Sequence, residues 1–283
     1  MAIVSSLNPF FDSGEARRYL PRPATEKALA ELERALRAGA VATLLAGPAG
    51  LGKSLLLRVL AHRLRRDFRV AVVPAVGLEA HEICAWALAL LRVERSADPE
   101  CDLAMLAADW KRRGSALVVV IDDAHELSLE AASRLAGLGL AADGGLRWLA
   151  ATREPSDALR KAFEHEAEPI WLRDGMSFGE AAEYVRAALA AASAEPEVRA
   201  FFDGPTLVRL HRDSHGVPGE LNRLAAEQLA SAVREGTLPP PGRTVWRSYS
   251  AKNPARIAAT RPGSSCSTQW VPPGSSTSRP SSR

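Results

Sequence analysis

Short apolar runs and helical periodicities alternate along the first part of the chain. Ala28, Leu29, Leu32, Ala35 and Leu36 recur at helical spacing, and Gly39 supplies a C-terminal stop. Val41 to Ala46 is a short apolar run, the mark of a strand buried on both faces. A helical pattern from Lys53 to about Arg66 follows, then a strand over Phe68 to Val73. Two helices are predicted next, over Glu79 to Leu91 and Pro99 to Arg112, and then a strand over Ala116 to Ile121 with three consecutive valines. Ser128 caps a helix running to about Leu138, Leu146 to Ala151 reads as a strand, and Asp157 to Phe163 as a short helix. A last strand falls at Pro169 to Leu172. Five strands separated by helical segments predict an α/β fold with a parallel sheet covered by helices on both faces.

After Asp174 the strand signal stops. Ser177 with Glu180 three residues on is a capping box that opens a helix reaching about Ala192. Further helices are predicted over Pro205 to Arg212 and Pro218 to Arg234. The chain thus reads as an α/β core over residues 1–174, an all-helical segment over 175–238 and a tail over 239–283.

Charge divides at the same place. The whole chain has 36 Lys plus Arg against 33 Asp plus Glu, a formal charge of +3. From Pro240 to Arg283 there are six Arg, one Lys and no acid, so the preceding residues hold 29 basic groups against 33 acidic ones, a net charge of −4. Leucine stops at Leu238, and the remainder is rich in Ser, Pro and Gly, a composition expected to stay disordered. The basic balance therefore says little about the folded part. The most extended apolar run, Ile83 to Leu91, is half the roughly 18 residues a membrane span needs. The first residues show no secretory pattern. Cys84, Cys101 and Cys266 share no metal-ligand spacing and fit a reducing cytoplasm, two as core-side thiols and one in the tail.

The strongest chemical signal is Gly47, Pro48, Ala49, Gly50, Leu51, Gly52, Lys53 and Ser54, which match the P-loop pattern G-x-x-x-x-G-K-[ST] between a buried strand and a helix start. The glycines let backbone N–H groups turn around phosphate oxygens, and the helix that continues through Leu55 adds its positive end. Lys53 is expected to reach the β and γ phosphates of ATP, and the Ser54 hydroxyl to ligate Mg²⁺. Such a loop needs a metal-holding acid on a neighbouring strand. Asp122, at the end of Val118-Val119-Val120-Ile121, is expected to hold Mg²⁺ through water, and Asp123 to orient the attacking water. Many such ATPases carry Glu at the second position, so the shorter Asp123 predicts slow or partner-stimulated hydrolysis. Thr152 and Arg153 follow the next strand, where a polar residue senses the γ-phosphate. His125-Glu126 and Glu164-His165-Glu166 lack the HExxH spacing of a metal site.

These residues resemble the AAA+ ATPases of the general secretion pathway protein A (ExeA-like) group, with relatives among the transposition helpers TniB and MuB. The matching pieces are Asn8-Pro9-Phe10, the Gly47 to Ser54 loop, Ile121 to Leu127, Ser177 to Glu180 with Tyr184-Val185, and Gly216 to Leu224. Only the last points to this group rather than to P-loop ATPases at large. The resemblance implies five parallel strands, a helical lid that closes over ATP or ADP with Pro218 near the adenine, and a homo-oligomer in which neighbours complete the site. The sequence departs from the pattern in three places. Gly219 stands where family members often carry a γ-phosphate-sensing Arg, a variant that also resembles the ATPase region of DamX-type proteins. The segment Glu164 to Glu168 lacks the arginine that serves the neighbouring subunit, leaving only Arg160 nearby. No membrane helix and cell-wall-binding region follow, so a cytoplasmic protein without a membrane span is expected.

Three functions compete on this reading. The first is an ATPase switch whose ATP-bound form assembles and acts on a protein partner. The second is an ATP-dependent helper on duplex DNA, with Arg63, Arg65, Arg66, Arg69 and Lys111 to Arg113 touching phosphates. Both groups lie at predicted helix C-termini, where cations offset the helix dipole, which favours the first. Trp246, Tyr249 and Trp270 among the tail arginines have a composition that stacks on single-stranded bases, or that of a plain linker. The third, a STAND-type signalling switch, calls for long sensor repeats after the lid, and this chain has none.

Overall fold

In the computed structural model, residues 9–10, 16, 19–74, 77–94, 96–163 and 168–238 are described. The chain divides into two units between Leu238 and Pro239. The second unit, Asn8 and the Glu164-His165-Glu166 stretch lie outside the described residues. Helix α1 (Pro23–Ala38) starts on a proline, whose fixed φ suits a first turn, and ends at Gly39 in the left-handed region at φ 98°. Its Ala28, Leu29, Leu32 and Leu36 are all buried. The units that follow are β1 (Ala42–Ala46), α2 (Lys53–Leu64), β2 (Phe68–Pro74), α3 (Ala80–Leu90), α4 (Pro99–Arg112) and β3 (Ala116–Asp122). A 3-10 turn at Ala124–Glu126 precedes α5 (Leu129–Ala141), β4 (Leu146–Thr152), α6 (Asp157–Phe163) and β5 (Ile170–Trp171). Ser128 caps α5 by accepting the Ala131 N–H at 3.0 Å.

The five strands form one parallel sheet in the order β2-β3-β4-β1-β5. Alternate residues of β3 serve opposite faces. Leu117, Val119 and Ile121 pack with Trp148 and the buried sides of α3, α4 and α5. Val118 and Val120 pack with Leu45, Leu149 and the leucines of α1 and α2. That double burial is why these strands read as unbroken apolar runs. One expectation is corrected here. The acid-bearing strand β3 is not the neighbour of β1, because β4 lies between them, with Ala150 paired to Leu44 on one side and to Ile121 on the other.

Beyond β5 the described residues form helices: α7 (Phe178–Ala191), α8 (Pro196–Phe201), α9 (Gly204–Ser214) and α10 (Pro218–Arg234). Helix α8 has no buried residue, which is why no apolar period announces it. The others share a third core, in which Phe10 meets Phe202 edge-on at 5.1 Å alongside Val185, Leu210 and Leu221. Among the described residues no helix is long and apolar enough to cross a membrane.

The cysteines split differently from expectation. Cys84 is buried on α3, but Cys101 sits exposed in the first turn of α4, whose inward face is Leu103 and Ala107. Burial, with a smaller push from Glu100, raises the Cys84 thiol to about 12. Because the thiolate is the reacting form, iodoacetamide at about pH 8 is expected to alkylate Cys101 in the folded chain and spare Cys84. Peptide mapping by mass spectrometry checks this; equal labelling of the two would contradict the packing of α3 described above.

Candidate nucleotide site

The loop from Gly47 to Gly52 joins the end of β1 to the start of α2. It needs backbone that only glycine adopts freely: Gly50 and Gly52 have φ of 80° and 91°. Gly47 is fixed from the sheet side, its N–H shared between the carbonyls of Thr152 and Arg153 at 3.2 Å each. No larger residue fits there, since a Cβ on Gly47 would lie 2.2 Å from the Leu172 carbonyl oxygen. The Lys53 ammonium folds back to donate to the carbonyls of Gly47 at 2.7 Å and Pro48 at 2.9 Å. Burial holds its pKa below the ordinary lysine value, while Asp123 and Asp122 pull it up and Arg153 pushes it down. These four charges therefore share one neighbourhood.

The loop opens into a cavity of about 390 Å³. The strand end of β3 delivers Asp122, half-buried, whose Oδ1 accepts the Asp123 N–H at 3.1 Å. Asp123 takes the left-handed conformation at φ 56°, which turns the chain out of the sheet and leaves its side chain exposed beside the cavity. Helix α10 meets the loop directly: the Gly219 N–H donates to the Gly50 carbonyl at 2.9 Å. A Cβ on Gly219 would stand 3.0 Å from the Gly50 Cα. The departure at Gly219 thus coincides with a close backbone approach.

On another side the cavity is lined by Tyr19, Arg22 and Thr25. The Tyr19 hydroxyl lies 2.7 Å from Thr25 Oγ1 and 2.9 Å from Glu26 Oε1, and burial raises it to about 12. Arg22 is only 6% exposed, and its Nη1 has no hydrogen-bond partner. Burial lowers its pKa, opposed by the nearby Glu180, Tyr19 and Tyr184. From α10, Asn222 donates through Nδ2 to the Tyr184 hydroxyl at 2.8 Å, while its Oδ1 is buried and unpaired.

Comparison with known proteins agrees with this fold. Residues 36–154 match the family described as AAA domain. No curated protein sequence matches the chain. Among solved structures, Cdc6p from Pyrobaculum aerophilum superposes with a TM-score of 0.59 at 18% identity, over 81% of this chain and 66% of that one. The ORC2 protein of Aeropyrum pernix gives 0.55 at 14% identity, over 90% and 74% of the two chains. Domain III of the Thermotoga maritima replication initiation protein DnaA gives 0.51 at 16%, over 80% and 91%. The chain spans just under two thirds of the Pyrobaculum protein's length. The fold is that of an AAA+ P-loop NTPase.

Within this AAA+ fold, Ala49, Gly50, Leu51, Gly52, Lys53, Ser54, Leu55, Asp123, Arg153 and Pro218 line this cavity together. Gly47, Pro48 and Asp122 do not line it, but the first two accept hydrogen bonds from Lys53 and the third accepts from the Asp123 N–H. Thr152 differs from expectation. It is 1% exposed, does not line the cavity, and its hydroxyl donates to the Glu154 carbonyl at 2.8 Å. The reason is its place as the last residue of β4, paired with Ala46, where its carbonyl anchors Gly47. Arg160 is exposed and donates to the Pro155 carbonyl at 3.2 Å. His125 and Glu126 pair with each other at 3.2 Å, and among the described residues no cluster of three metal-ligating groups exists. The sequence reading missed Tyr19, Arg22 and Tyr184 as lining residues, and treated Asn222 only as part of a motif.

Proposed function

We propose that the chain is an ATP-binding AAA+ switch that hydrolyses ATP slowly, oligomerises and acts on a protein partner in the cytoplasm. The observation that carries this reading is the convergence of the Gly47–Ser54 loop, Asp123 and Arg153 on one cavity, with Lys53 inside the field of both acids. In this reading the backbone of Gly47 to Leu55 holds the phosphates of ATP or ADP, and Lys53 exchanges its two carbonyl partners for β and γ oxygens. Arg153 lies at the γ-phosphate, and Thr152 acts through the backbone of Gly47. Residues 1–174 form the ATPase core and 175–238 a lid, with Pro218 on the adenine side and 239–283 a tail.

The donor set fits Mg²⁺. That ion takes one or two protein oxygens, keeps waters and completes its shell on phosphates. Ser54 and Asp122 are such a pair. When bound, Mg²⁺ neutralises charge that builds on the β and γ oxygens. Asp123 then holds the attacking water and takes up its proton. Slow turnover follows from its short reach and from Gly219, which brings no charge to the γ-phosphate. With Asp123→Asn, ATP binding is expected to stay within about threefold while turnover falls about a hundredfold, as for loss of a positioned base. Turnover equal to wild type would remove Asp123 from the mechanism.

Kinship with the ExeA-like group is supported by the Gly216 to Leu224 stretch, whose Val217, Pro218, Gly219 and Asn222 all stand at the cavity or its loop. A DNA-bound helper of the TniB or MuB kind is the second reading, favoured by a fold neighbour that is a replication initiation protein. The basic side chains it would use are largely engaged within the chain. Arg63 pairs with Glu26 at 2.8 Å, Arg112 and Arg113 with Asp109, Lys111 with Asp143, and Arg69 donates to the Leu91 carbonyl. A protein partner is therefore the reading we adopt.

A further inference from the structure

Phe10 lies in the core of the helical segment, although in the sequence it precedes every strand of the sheet. It is 4% exposed, shares the cluster of Met176, Val185, Leu210 and Leu221, and meets the Phe202 ring edge-on at 5.1 Å. Six residues on, the surroundings change: Ala16 and then Tyr19 pack against the cluster formed by α1, α2 and the sheet. Whatever course the link takes, it reaches about 20 Å at most, because extended chain covers roughly 3.3–3.6 Å per residue. The same two cores are joined a second time between Leu172, bonded to the Ala46 carbonyl of β1, and Met176. The third junction is not covalent. Val217 packs against the sheet-side cluster and the Gly219 N–H donates to the Gly50 carbonyl, while Leu221 is already part of the helical core.

These junctions yield differently. Val217 and Gly219 leave the phosphate loop at the loss of one hydrogen bond and one side chain's contacts, whereas a peptide link holds its two ends within its own length. A body with one covalent crossing swings in any direction; with two, it turns about the line through them. Resting on the lid and nucleotide-site readings above, we propose that Phe10 is a second hinge pin of the lid. It confines the lid to one opening path and slows the escape of bound nucleotide. Motion about the Phe10 and Met176 pins carries the start of α10 away from the Gly47–Ser54 loop and back to it. Tyr19, at the sheet-side end of the link, and Pro218, at the end that lifts, both line the cavity, so the ligand lies between hinge and latch. The grip of a tether on its ends weakens roughly as the three-halves power of its length. Slackening the link therefore favours the open lid and leaves the phosphate loop unaltered.

The test compares the full wild-type chain with Phe10→Ala and with a variant carrying eight Gly and Ser residues inserted between Ser13 and Gly14. Release of the fluorescent nucleotide mant-ADP is followed by stopped flow, and amide hydrogen exchange at Gly219 is followed in the nucleotide-free chain. Thirteen linking residues in place of the five between Phe10 and Ala16 should speed both about fourfold, by the three-halves power. Phe10→Ala removes the pin and should speed release by about tenfold or more. If Phe10→Ala has lost helix by circular dichroism, the insertion decides the matter alone. A release rate or a Gly219 exchange rate that the insertion leaves at the wild-type value would overturn the proposal and make Phe10 ordinary filling of the helical core. A wild type that binds no mant-ADP would overturn the nucleotide-site reading instead, and Gly219 exchange would then decide the hinge pin by itself.

Discussion

Lys53→Ala is expected to weaken MgATP binding about a hundredfold and to take turnover below detection. The ammonium meets two carbonyl oxygens in the free chain, those of Gly47 and Pro48. Phosphate oxygens carry full negative charge, so an ammonium–phosphate bond, with both partners ionised, sits at the upper end of the roughly 1.5–3 kcal/mol of charge-assisted hydrogen bonds, and an ammonium–carbonyl bond, with one, at the lower end. Two such contacts exchanged for two weaker ones leave a net gain of about 2–3 kcal/mol, or one to two powers of ten in affinity. The fold should hardly notice. Pro48 is exposed, so water can replace Lys53 at its carbonyl. A melting temperature within a few degrees of wild type, set beside a collapsed titration, identifies a binding residue and not a structural one. Unchanged affinity in the folded variant would move the phosphates elsewhere.

Gly216→Ala should destabilise the chain by about 3–5 kcal/mol, one of the larger effects open to a single methyl group. Gly216 has φ 70°, which costs alanine roughly 1–2 kcal/mol. More serious is where the Cβ would go. It would lie 2.2 Å from the Met176 carbonyl oxygen and 3.0 Å from the Met176 nitrogen, both backbone atoms that cannot swing aside. The Met176 N–H already donates to the Gly216 carbonyl at 2.6 Å, so relief requires parting the entry to α7 from the entry to α10. A fall in melting temperature of about 6–20 °C follows for a chain of this size. Gly137→Ala is the control. It sits exposed within α5 with nothing near its would-be Cβ, and should stabilise by about 0.5–1 kcal/mol. Similar melting shifts in the two variants would contradict this account.

What the sequence made legible follows from what is local. The inner strands announced themselves because they pack on both faces, and Ser128 and Ser177 marked helix starts because a cap acts within three residues. The phosphate loop needs only glycines, a lysine and a hydroxyl in fixed spacing. Strand order was hidden for the same reason the strands were visible: a run that is apolar on both faces says nothing about which run lies beside it, so β4 between β1 and β3 could not be foreseen. Arg22 looked like one more arginine of an Arg-rich chain. Residues that share its cavity come from much later in the sequence, where Tyr184 and Asn222 lie. Cys101 illustrates the reverse, a residue type usually inside that faces water because the cap at Asp98 sets the rotation of α4.

The hydrogen bond from Gly219 to Gly50 joins the phosphate loop to α10 through main-chain atoms alone. Its strength is therefore indifferent to side-chain chemistry and sensitive only to how far the helix stands from the loop. On the proposed reading, a ligand in the cavity and a partner held at the exposed side of α10, where Arg223 bridges Glu220 and Glu227, would draw on the same displacement. Coupling free energies are reciprocal, so whatever factor one imposes on the other's affinity is returned in full. On that reading, occupancy of the loop would be legible from outside, at a surface that never touches phosphate.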